Sequence, residues 1–259
     1  MKTIKTKSRF FGMMLLAVVM FCAAGCTKPD DNENGGNDGN GGNGGNGGGG
    51  GNSNGGVELV GTYNGHEYVD LGLPSGTKWA TCNVGSSTPE GYGDYFAWGE
   101  TSIKTKYNLE NYRYMYTDNS GNYLYVTKYN TNSEYGAVDN LTVLQPGDDA
   151  ATAQWGSGWQ IPTKAQWEEL ILNTTNIWTT KNGVNGRVFT SSNGGSLFLP
   201  AAGCHHGNGV HDTPYHGYYW SSSLYTDDSE YAWEFYFNSN SYMVKYFFRI
   251  EGFPVRAVH

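Results

Sequence analysis

Four histidines lie within twelve residues of each other and could in principle hold a transition metal. They are His205, His206, His211 and His216. Neutral imidazole is a common ligand of zinc, copper and nickel. The segment is interrupted by glycines and contains no pair of histidines spaced four residues apart, as one face of a helix would require. We therefore predict an exposed loop here and no metal site.

Acidic residues offer a second possible chemistry. Asp227, Asp228 and Glu230 lie in a loop rich in Ser and Thr, where scattered carboxylates and carbonyls could bind calcium, an alternative that stays open. Asp94 and Glu100 have no context that marks them as paired catalytic carboxylates, so we interpret them as loop or hydrogen-bonding residues. No nucleophile elbow, phosphate loop, nucleotide fingerprint or HExxH motif occurs. We predict no catalytic residue and no cofactor, and an enzyme is the less favoured class.

Aromatic residues are concentrated near the C-terminus. Residues 215–250 contain eight Tyr, four Phe and two Trp. Tyr mixed with Ser and Asn is typical of adaptable binding surfaces, because Tyr gives a large contact area at low entropic cost. The alternative is a Tyr-rich face that only shields a small sheet. The predicted ligand-binding residues are Tyr225, Asp227, Tyr231, Glu234, Tyr236, Asn238, Tyr242 and Tyr246.

A period of two along 233–238 predicts a strand with one buried face. Trp233, Phe235 and Phe237 would face the core, together with Trp220 from a preceding strand. Glu234, Tyr236 and Asn238 would then face solvent. The pattern is weaker around Tyr242 and Tyr246, where a strand buried on both sides is the alternative.

Cysteines occur in two settings. Cys82 and Cys204 could form a disulfide in an exported protein, or could be two separate thiols packed as small apolar residues, and both interpretations stay open. Cys26 follows a basic segment, an apolar run of about a dozen residues and the small residues 23–25. The run is shorter than the roughly 20 residues of a membrane span. This arrangement resembles a bacterial lipobox, so we predict a signal peptide over 1–25 and acylation of Cys26. Ordinary secretory cleavage after Gly25 is the alternative.

The composition divides the rest of the chain into a linker and a domain. Residues 32–56 contain 14 Gly and 8 Asn and cannot bury apolar surface, so we predict a flexible linker over 26–56. All 20 Tyr and all 8 Trp lie in 57–259, which we predict to be one domain. The chain has 259 residues and a formal net charge of −8, and 4 of its 16 basic residues precede position 10. An acidic body excludes a nucleic-acid footprint.

Helix signals are few in the predicted domain. Thr163 and Gln166 form a capping box before Trp167, Leu170 and Ile171, so a helix with Trp167 in the core is predicted. A second short helix is expected near 149–154, capped by Asp148. Short strand patterns occupy most of the remainder. Arg256 lies in an apolar terminal strand and should need a carboxylate, for which Glu168 or Glu169 is the predicted partner.

Five ordered blocks resemble the Fibrobacter succinogenes major paralogous domain of Bacteroidetes lipoproteins. They are Asp70–Gly85, Gly158–Leu170, Phe198–Gly203, Gly217–Ser223 and Val255–Val258. The resemblance covers most of 66–258 and implies relationship to the formylglycine-generating-enzyme branch of the C-type-lectin-like fold. The implied fold class is α+β: small antiparallel sheets, two short helices and long loops. That family has no established general activity.

The acidic residues after Cys26 also resemble an export tag of surface lipoproteins. Together these features predict an outer-membrane protein, anchored in lipid through acylated Cys26 and facing the cell exterior. Its partner would be an unidentified glycan or protein held by the Tyr-rich face. An enzyme or polysaccharide-processing accessory of the same fold, and a structural envelope or appendage component, are the alternatives.

Overall fold

Short strands joined by loops make up most of the structure, a computed structural model that describes residues 59–121 and 123–259. In chain order the strands are β1 (Val60–Tyr63), β2 (His66–Asp70), β3 (Lys78–Ala80), β4 (Tyr95–Phe96), β5 (Met115–Thr117), β6 (Leu124–Val126), β7 (Thr174–Lys181), β8 (Val184–Ser191), β9 (Ser196–Pro200), β10 (Cys204–His206), β11 (Gly209–His211), β12 (Gly217–Leu224), β13 (Tyr231–Phe237), β14 (Tyr242–Phe248) and β15 (Phe253–Pro254). The two α-helices of this part are α1 (Ala150–Trp155) and α2 (Lys164–Asn173). Single 3₁₀ turns lie at Leu109–Asn111, Ser133–Tyr135 and Pro146–Asp148. The architecture is mixed α+β.

The described residues belong to one unit of the chain, Val57–His259. The predicted signal peptide (1–25), Cys26 and the linker (26–56) lie outside the described residues. Within the described part, no helix combines the length and the apolar character needed to cross a membrane.

The sheets are small and antiparallel. Three have three strands, in the orders β1-β2-β3, β7-β8-β9 and β12-β13-β14, and the other pairs are β5 with β6, β10 with β11 and β4 with β15. We call β12-β13-β14 the terminal sheet. Its strands are neighbours in sequence, as hairpin connections require. Long-range pairing of β15 with β4 joins the C-terminal segment to the first half of the domain.

Helix α2 is confirmed with its capping box. The Thr163 hydroxyl accepts from the Gln166 N–H, and the Gln166 side chain accepts from the Thr163 N–H. Trp167 is fully buried, as predicted, with its ring 4.7 Å from that of Trp79 and 4.9 Å from that of Phe235. Its indole N–H donates to the Trp220 carbonyl. The helix therefore packs its apolar face directly onto the terminal sheet.

The cap of α1 differs from the prediction by one residue. Asp149, and not Asp148, is the N-cap, and its side chain accepts from the Thr152 N–H. Asp148 instead lies in the preceding 3₁₀ turn, where the hydroxyls of Tyr114 and Tyr129 both donate to its carboxylate at 2.6 Å. Two buried tyrosines therefore bind the Asp148 carboxylate, which the local sequence predicts as the cap of the helix.

The prediction of an ion pair for Arg256 is wrong. Glu168 pairs with Lys164, and Glu169 accepts from Ser75. The buried Arg256 guanidinium donates instead to three oxygens: Asn83 Oδ1, Ala80 O and Thr81 O. Carbonyl and amide oxygens of residues 80–83 take the place of a carboxylate, although Nη2 of Arg256 has no hydrogen-bond partner. Burial lowers the pKa of Arg256.

The terminal sheet is covered on both faces. Directly paired residues share a face, so Tyr219 and Phe235 lie on one side and Tyr218 and Tyr236 on the other. The first side packs on Trp167 of α2, with a ring separation of 6.0 Å from Tyr219. Phe253 covers the second side, its ring 5.2 Å from that of Tyr218. One-sided burial, the basis of the predicted in-and-out pattern, therefore does not hold for β13.

Candidate functional site

Four aromatic rings meet at one end of the terminal sheet. Tyr225, Tyr231, Trp233 and Tyr246 form what we call the aromatic patch. Tyr225 stacks on Tyr246 with ring centroids 3.9 Å apart and planes 12° apart. Trp233 meets the Tyr225 ring edge-on at 5.3 Å, and Tyr231 meets the Tyr246 ring edge-on at 5.6 Å. Stacked and edge-on contacts are the favoured geometries of aromatic pairs, so the rings hold one another in place.

Strand register and a tight loop bring these rings together. Trp233 and Tyr246 are direct partners across β13 and β14, so both side chains project from the same face. The loop between β12 and β13 closes on itself, because the Tyr225 N–H donates to the Tyr231 carbonyl at 3.1 Å. The Tyr231 N–H donates to the Asp228 carbonyl. This closure places Tyr225 over a ring that is twenty-one residues away in the chain.

The patch is open to solvent and has a polar rim. Tyr246 is 45% exposed, while Tyr225, Tyr231 and Trp233 are half-buried. Lys164, the first residue of α2, places its ammonium 4.7 Å from the Trp233 ring and also pairs with Glu168. Burial raises the pKa of the Tyr231 hydroxyl, which therefore stays a neutral donor and acceptor.

Asp227 lies beside the patch, exposed in the loop between β12 and β13. Its position supplies a carboxylate at the rim. Apolar ring surface with hydroxyl, ammonium and carboxylate groups around it can bind an amphipathic, hydrogen-bonding ligand.

Four predicted ligand-binding residues lie elsewhere, and two of them are Tyr236 and Asn238. Tyr236 is on the opposite face, where its hydroxyl oxygen lies 2.9 Å from Nδ1 of His216 and accepts from the Asn238 side chain at 2.9 Å. Asn238 also organises the β13–β14 turn, since its side-chain oxygen accepts from the N–H groups of Asn240 and Ser241. Both residues are half-buried and serve the fold.

The prediction that Glu234 faces solvent is wrong, since Glu234 is fully buried. Its Oε1 lies 3.5 Å from Nζ of Lys245, and neither carboxyl oxygen has a hydrogen-bond partner. The Lys245 ammonium lies 3.7 Å from the Tyr236 ring centroid, with Tyr218 and Phe247 at 5.4 and 5.8 Å. We call this group the Lys245 enclosure. Burial raises the pKa of Glu234 to about 8.

Tyr242 is exposed but stands apart from the patch. It lies at the other end of β14, paired with Phe237, and it is 40% exposed. The guanidinium carbon of Arg187 is 4.8 Å from its ring. Of the eight predicted residues, the structure therefore gathers four at the patch: Tyr225, Asp227, Tyr231 and Tyr246.

The histidine segment is a hairpin and not a loop. β10 and β11 pair across it, and half-buried His205 packs against Tyr107, with ring centroids 4.6 Å apart. Nδ1 of His206 lies 2.8 and 2.9 Å from the carboxylate oxygens of buried Glu251. In the part of the chain that the structure describes, no group of three or more His, Cys, Asp or Glu side chains could hold a metal ion.

We assign structural roles to the remaining candidate residues, Cys82, Cys204 and Glu100. Cys82 and Cys204 are free thiols, and burial raises the pKa of Cys204 to about 12, which makes it a poor nucleophile. Glu100 is buried, accepts from the Arg113 N–H and pairs with Lys104.

Two surface depressions of the described residues are open to solvent. One is lined by Glu67, Thr81, Pro89, Lys181, Ser196, Leu197 and Phe198. The other is lined by Leu172, Asn173, Thr174, Thr175, Thr190, Ser191 and Ser192. Neither contains a histidine or a pair of carboxylates.

Sequence reasoning missed two residues of the site. Trp233 was assigned to the core, yet it is half-buried, with the Lys164 ammonium over its ring and the rings of Tyr225 and Tyr246 against it. Its parity with Tyr231 on β13 was the available signal, because a predicted ligand-binding residue two positions away lies on the same face. Lys164 carried no signal of its own, since its position depends on how α2 packs on the sheet.

Comparison with known proteins gives one family match. The family model described as a domain of unknown function (DUF8237) matches residues 172–258, a segment that contains the whole terminal sheet and the aromatic patch. No curated protein and no solved structure matches the chain.

Proposed function

We propose that this protein is a surface lipoprotein of the outer membrane that binds an extracellular glycan through the aromatic patch. The observation that carries the proposal is the cluster of four solvent-accessible rings with a rim of hydroxyl, ammonium and carboxylate groups. Sugar rings present apolar C–H faces and hydroxyl edges, so they complement such a surface. We further propose that the domain has the C-type-lectin-like fold and belongs with the Fibrobacter succinogenes major paralogous domain.

A glycan suits the dimensions of the patch better than a protein. Specific protein interfaces bury about 800 Å² on each partner and use 20–30 residues a side. The patch has four rings, and its rim adds Lys164, Glu168 and Asp227. Stacking of one or two sugar units on Tyr246 and Trp233, with hydroxyls bonded to the rim, would use this surface fully.

The proposed test is a glycan array probed with the wild-type protein and two variants. Tyr246→Ala removes a patch ring and should weaken binding by about 1–2 kcal/mol, as expected for an aromatic anchor. Tyr242→Ala is the matched control, since Tyr242 lies on the same strand with similar exposure but outside the patch. It should bind as the wild type does. Equal loss in both variants, or binding only to protein ligands, would refute the proposal.

The anchor requires a separate test. Labelled palmitate should enter the wild-type protein and not Cys26→Ala, and protease applied to intact cells should release the domain by cutting within 32–56. Equal labelling of both proteins contradicts acylation. Protection in intact cells, followed by cleavage after lysis, contradicts exposure at the cell exterior.

Assembly is a second candidate function, favoured by one observation. β7 is an eight-residue edge strand that pairs only with β8 among the described residues, which leaves its outer backbone groups available for strand addition. Its test is the oligomeric state of the wild type against Thr180→Pro, because the Thr180 N–H points away from β8 and proline removes this outward donor. A monomer over a wide concentration range would exclude self-assembly through this edge.

A further inference from the structure

Glu234 and Lys245 bring a carboxyl group and an amine together inside the terminal sheet. They are direct partners across β13 and β14, and their side chains share one face. Nζ lies 3.5 Å from Oε1, an oxygen bonded to Cδ, the carbon that an amine would attack. Glu234 is fully buried, and neither of its oxygens accepts a hydrogen bond. Tyr218, Tyr236 and Phe247 surround the amine.

An unsatisfied buried carboxyl group needs an explanation. Leaving a buried acceptor without a partner costs about 1–3 kcal/mol, and more when the group is charged. A contact of 3.5 Å to one ammonium is too long to compensate well. Condensation of the two groups would remove both charges and one of the two orphaned oxygens.

We propose that Glu234 and Lys245 condense into an isopeptide bond that joins β13 to β14 covalently. The inference is independent of the proposed glycan function.

The reaction is a dehydration and needs no co-reactant. First, the Lys245 ammonium transfers a proton to the Glu234 carboxylate, which gives a neutral amine and a neutral acid. The amine lone pair attacks Cδ, and a proton moves from nitrogen to the hydroxyl oxygen of the acid. The Cδ–O bond then breaks, a water molecule leaves, and the Nζ–Cδ bond remains. No atom is oxidised or reduced.

The surroundings favour each step. Burial raises the pKa of Glu234 to about 8, which favours transfer of the ammonium proton to the carboxylate and so gives the acid form from which water can leave. The Tyr236 ring holds the amine beside the acid. The Lys245 side chain is 33% exposed on an edge strand, which provides the exit for the released water.

Other lysine–carboxylate pairs of the described residues do not combine a fully buried carboxyl group with the absence of a hydrogen bond to it. The Asp70, Glu100 and Asp148 carboxylates also accept hydrogen bonds, from Gly72, Arg113 and two tyrosines respectively. Glu168 is exposed beside Lys164. Hydrogen bonds and solvent stabilise the ionised carboxylate in these pairs, so they should remain ionic.

Peptide mapping of the full-length protein tests the proposal. Trypsin cuts after Lys and Arg, and no such residue lies between Arg187 and Lys245, so an unmodified chain yields peptide 188–245. An amide at Lys245 blocks that cut. We expect peptide 188–249, lighter than its sequence mass by one water molecule, with fragment ions that place the loss between Glu234 and Lys245. The peptide lies far from Cys26, so acylation does not affect the measurement.

Two controls accompany the map. Lys245→Arg keeps the positive charge but has no nucleophilic amine, and it should be cut after position 245 with no loss of water. Lys164, in its exposed pair, should be cut normally in every sample. Complete cleavage after Lys245 in the folded wild-type protein, or a loss of water located at other residues, would overturn the proposal.

Discussion

The aromatic patch and the Lys245 enclosure share strands β13 and β14 and combine lysine with aromatic residues, yet their environments are opposite. In both, a lysine ammonium lies against an aromatic ring, 4.7 Å from Trp233 in the patch and 3.7 Å from Tyr236 in the enclosure. Tyr246 of the patch is exposed to solvent, whereas Glu234 of the enclosure is fully buried. The difference arises from what packs on each face, so residue type alone does not assign a role on this sheet.

Removing the support beneath the patch should have the largest effect. Trp167→Ala would leave a cavity between α2 and the terminal sheet and lower the free energy of unfolding by about 3–5 kcal/mol. Chemical denaturation measures the change. Leu172→Ala is the control on the same helix, because Leu172 is 81% exposed and its truncation should have little effect. Similar losses in both variants would mean that α2 does not support the sheet through Trp167.

Truncating one tyrosine on each side of the sheet sharpens the comparison. Tyr236→Ala should lower the free energy of unfolding by about 2–3 kcal/mol, because it removes packing around Lys245 and the contacts with His216 and Asn238. Tyr246→Ala should cost less than about 1 kcal/mol, since its ring is exposed. Thermal melts of both variants provide the measurement, and the reverse order would contradict the assignment of the two faces.

Coupling between two patch rings should be smaller. Tyr225 and Tyr246 are stacked at 3.9 Å, so a double-mutant cycle with Ala at both positions should give a coupling energy of about 0.5–1.5 kcal/mol in unfolding. The pair Tyr225 and Tyr242 has no ring contact and is the control. Additive effects in both cycles would show that the stacked arrangement is absent in solution.

The smallest expected effect is a dependence of the stability of the fold on pH, without a change at the patch. Burial lowers the pKa of His205 below its ordinary value of 6.5. As the pH falls below this ordinary value, His205 binds a proton more readily in the unfolded chain than in the folded chain. The free energy of unfolding therefore falls as the pH drops. His205→Phe keeps a ring against Tyr107 and should show a smaller drop in melting temperature between about pH 7 and about pH 5.5.

The patch contains no histidine, so we expect its ligand affinity to stay constant across the same interval. A decline in affinity that parallels the decline in stability would link the two regions.

Local signals in the sequence predicted local features well. The capping box at Thr163 predicted the start of α2, and the period of two along 233–238 placed β13 within about two residues. The Thr-rich strand β7 was missed, because its apolar content is low and its pairing with β8 defines it. A strong local propensity was sufficient to predict an element where tertiary packing favoured the same structure.

Long-range packing explains the errors. Glu234 alternates with Phe235 and so was predicted to face solvent, but Tyr218 and Phe253 from distant segments cover that face. Trp233 was predicted to be buried from the same alternation, but it is half-buried and contacts Tyr225, Tyr246 and Lys164 at one end of the sheet. The Arg256 guanidinium donates hydrogen bonds to carbonyl oxygens in place of the predicted carboxylate. None of these contacts has a signature within the neighbouring sequence.

The rings of the patch lie on one loop and on β13 and β14, and this has a consequence for divergence. Tyr246 contacts Tyr225, Tyr231 and Trp233, while the main cores lie beneath α2 and around Phe253. Exchanges at these positions leave the two cores intact, so homologous chains can carry different side chains there while the scaffold is retained. If the proposed glycan function is correct, selection on such a surface would act on a few side chains, and close relatives would differ in the glycan that they bind.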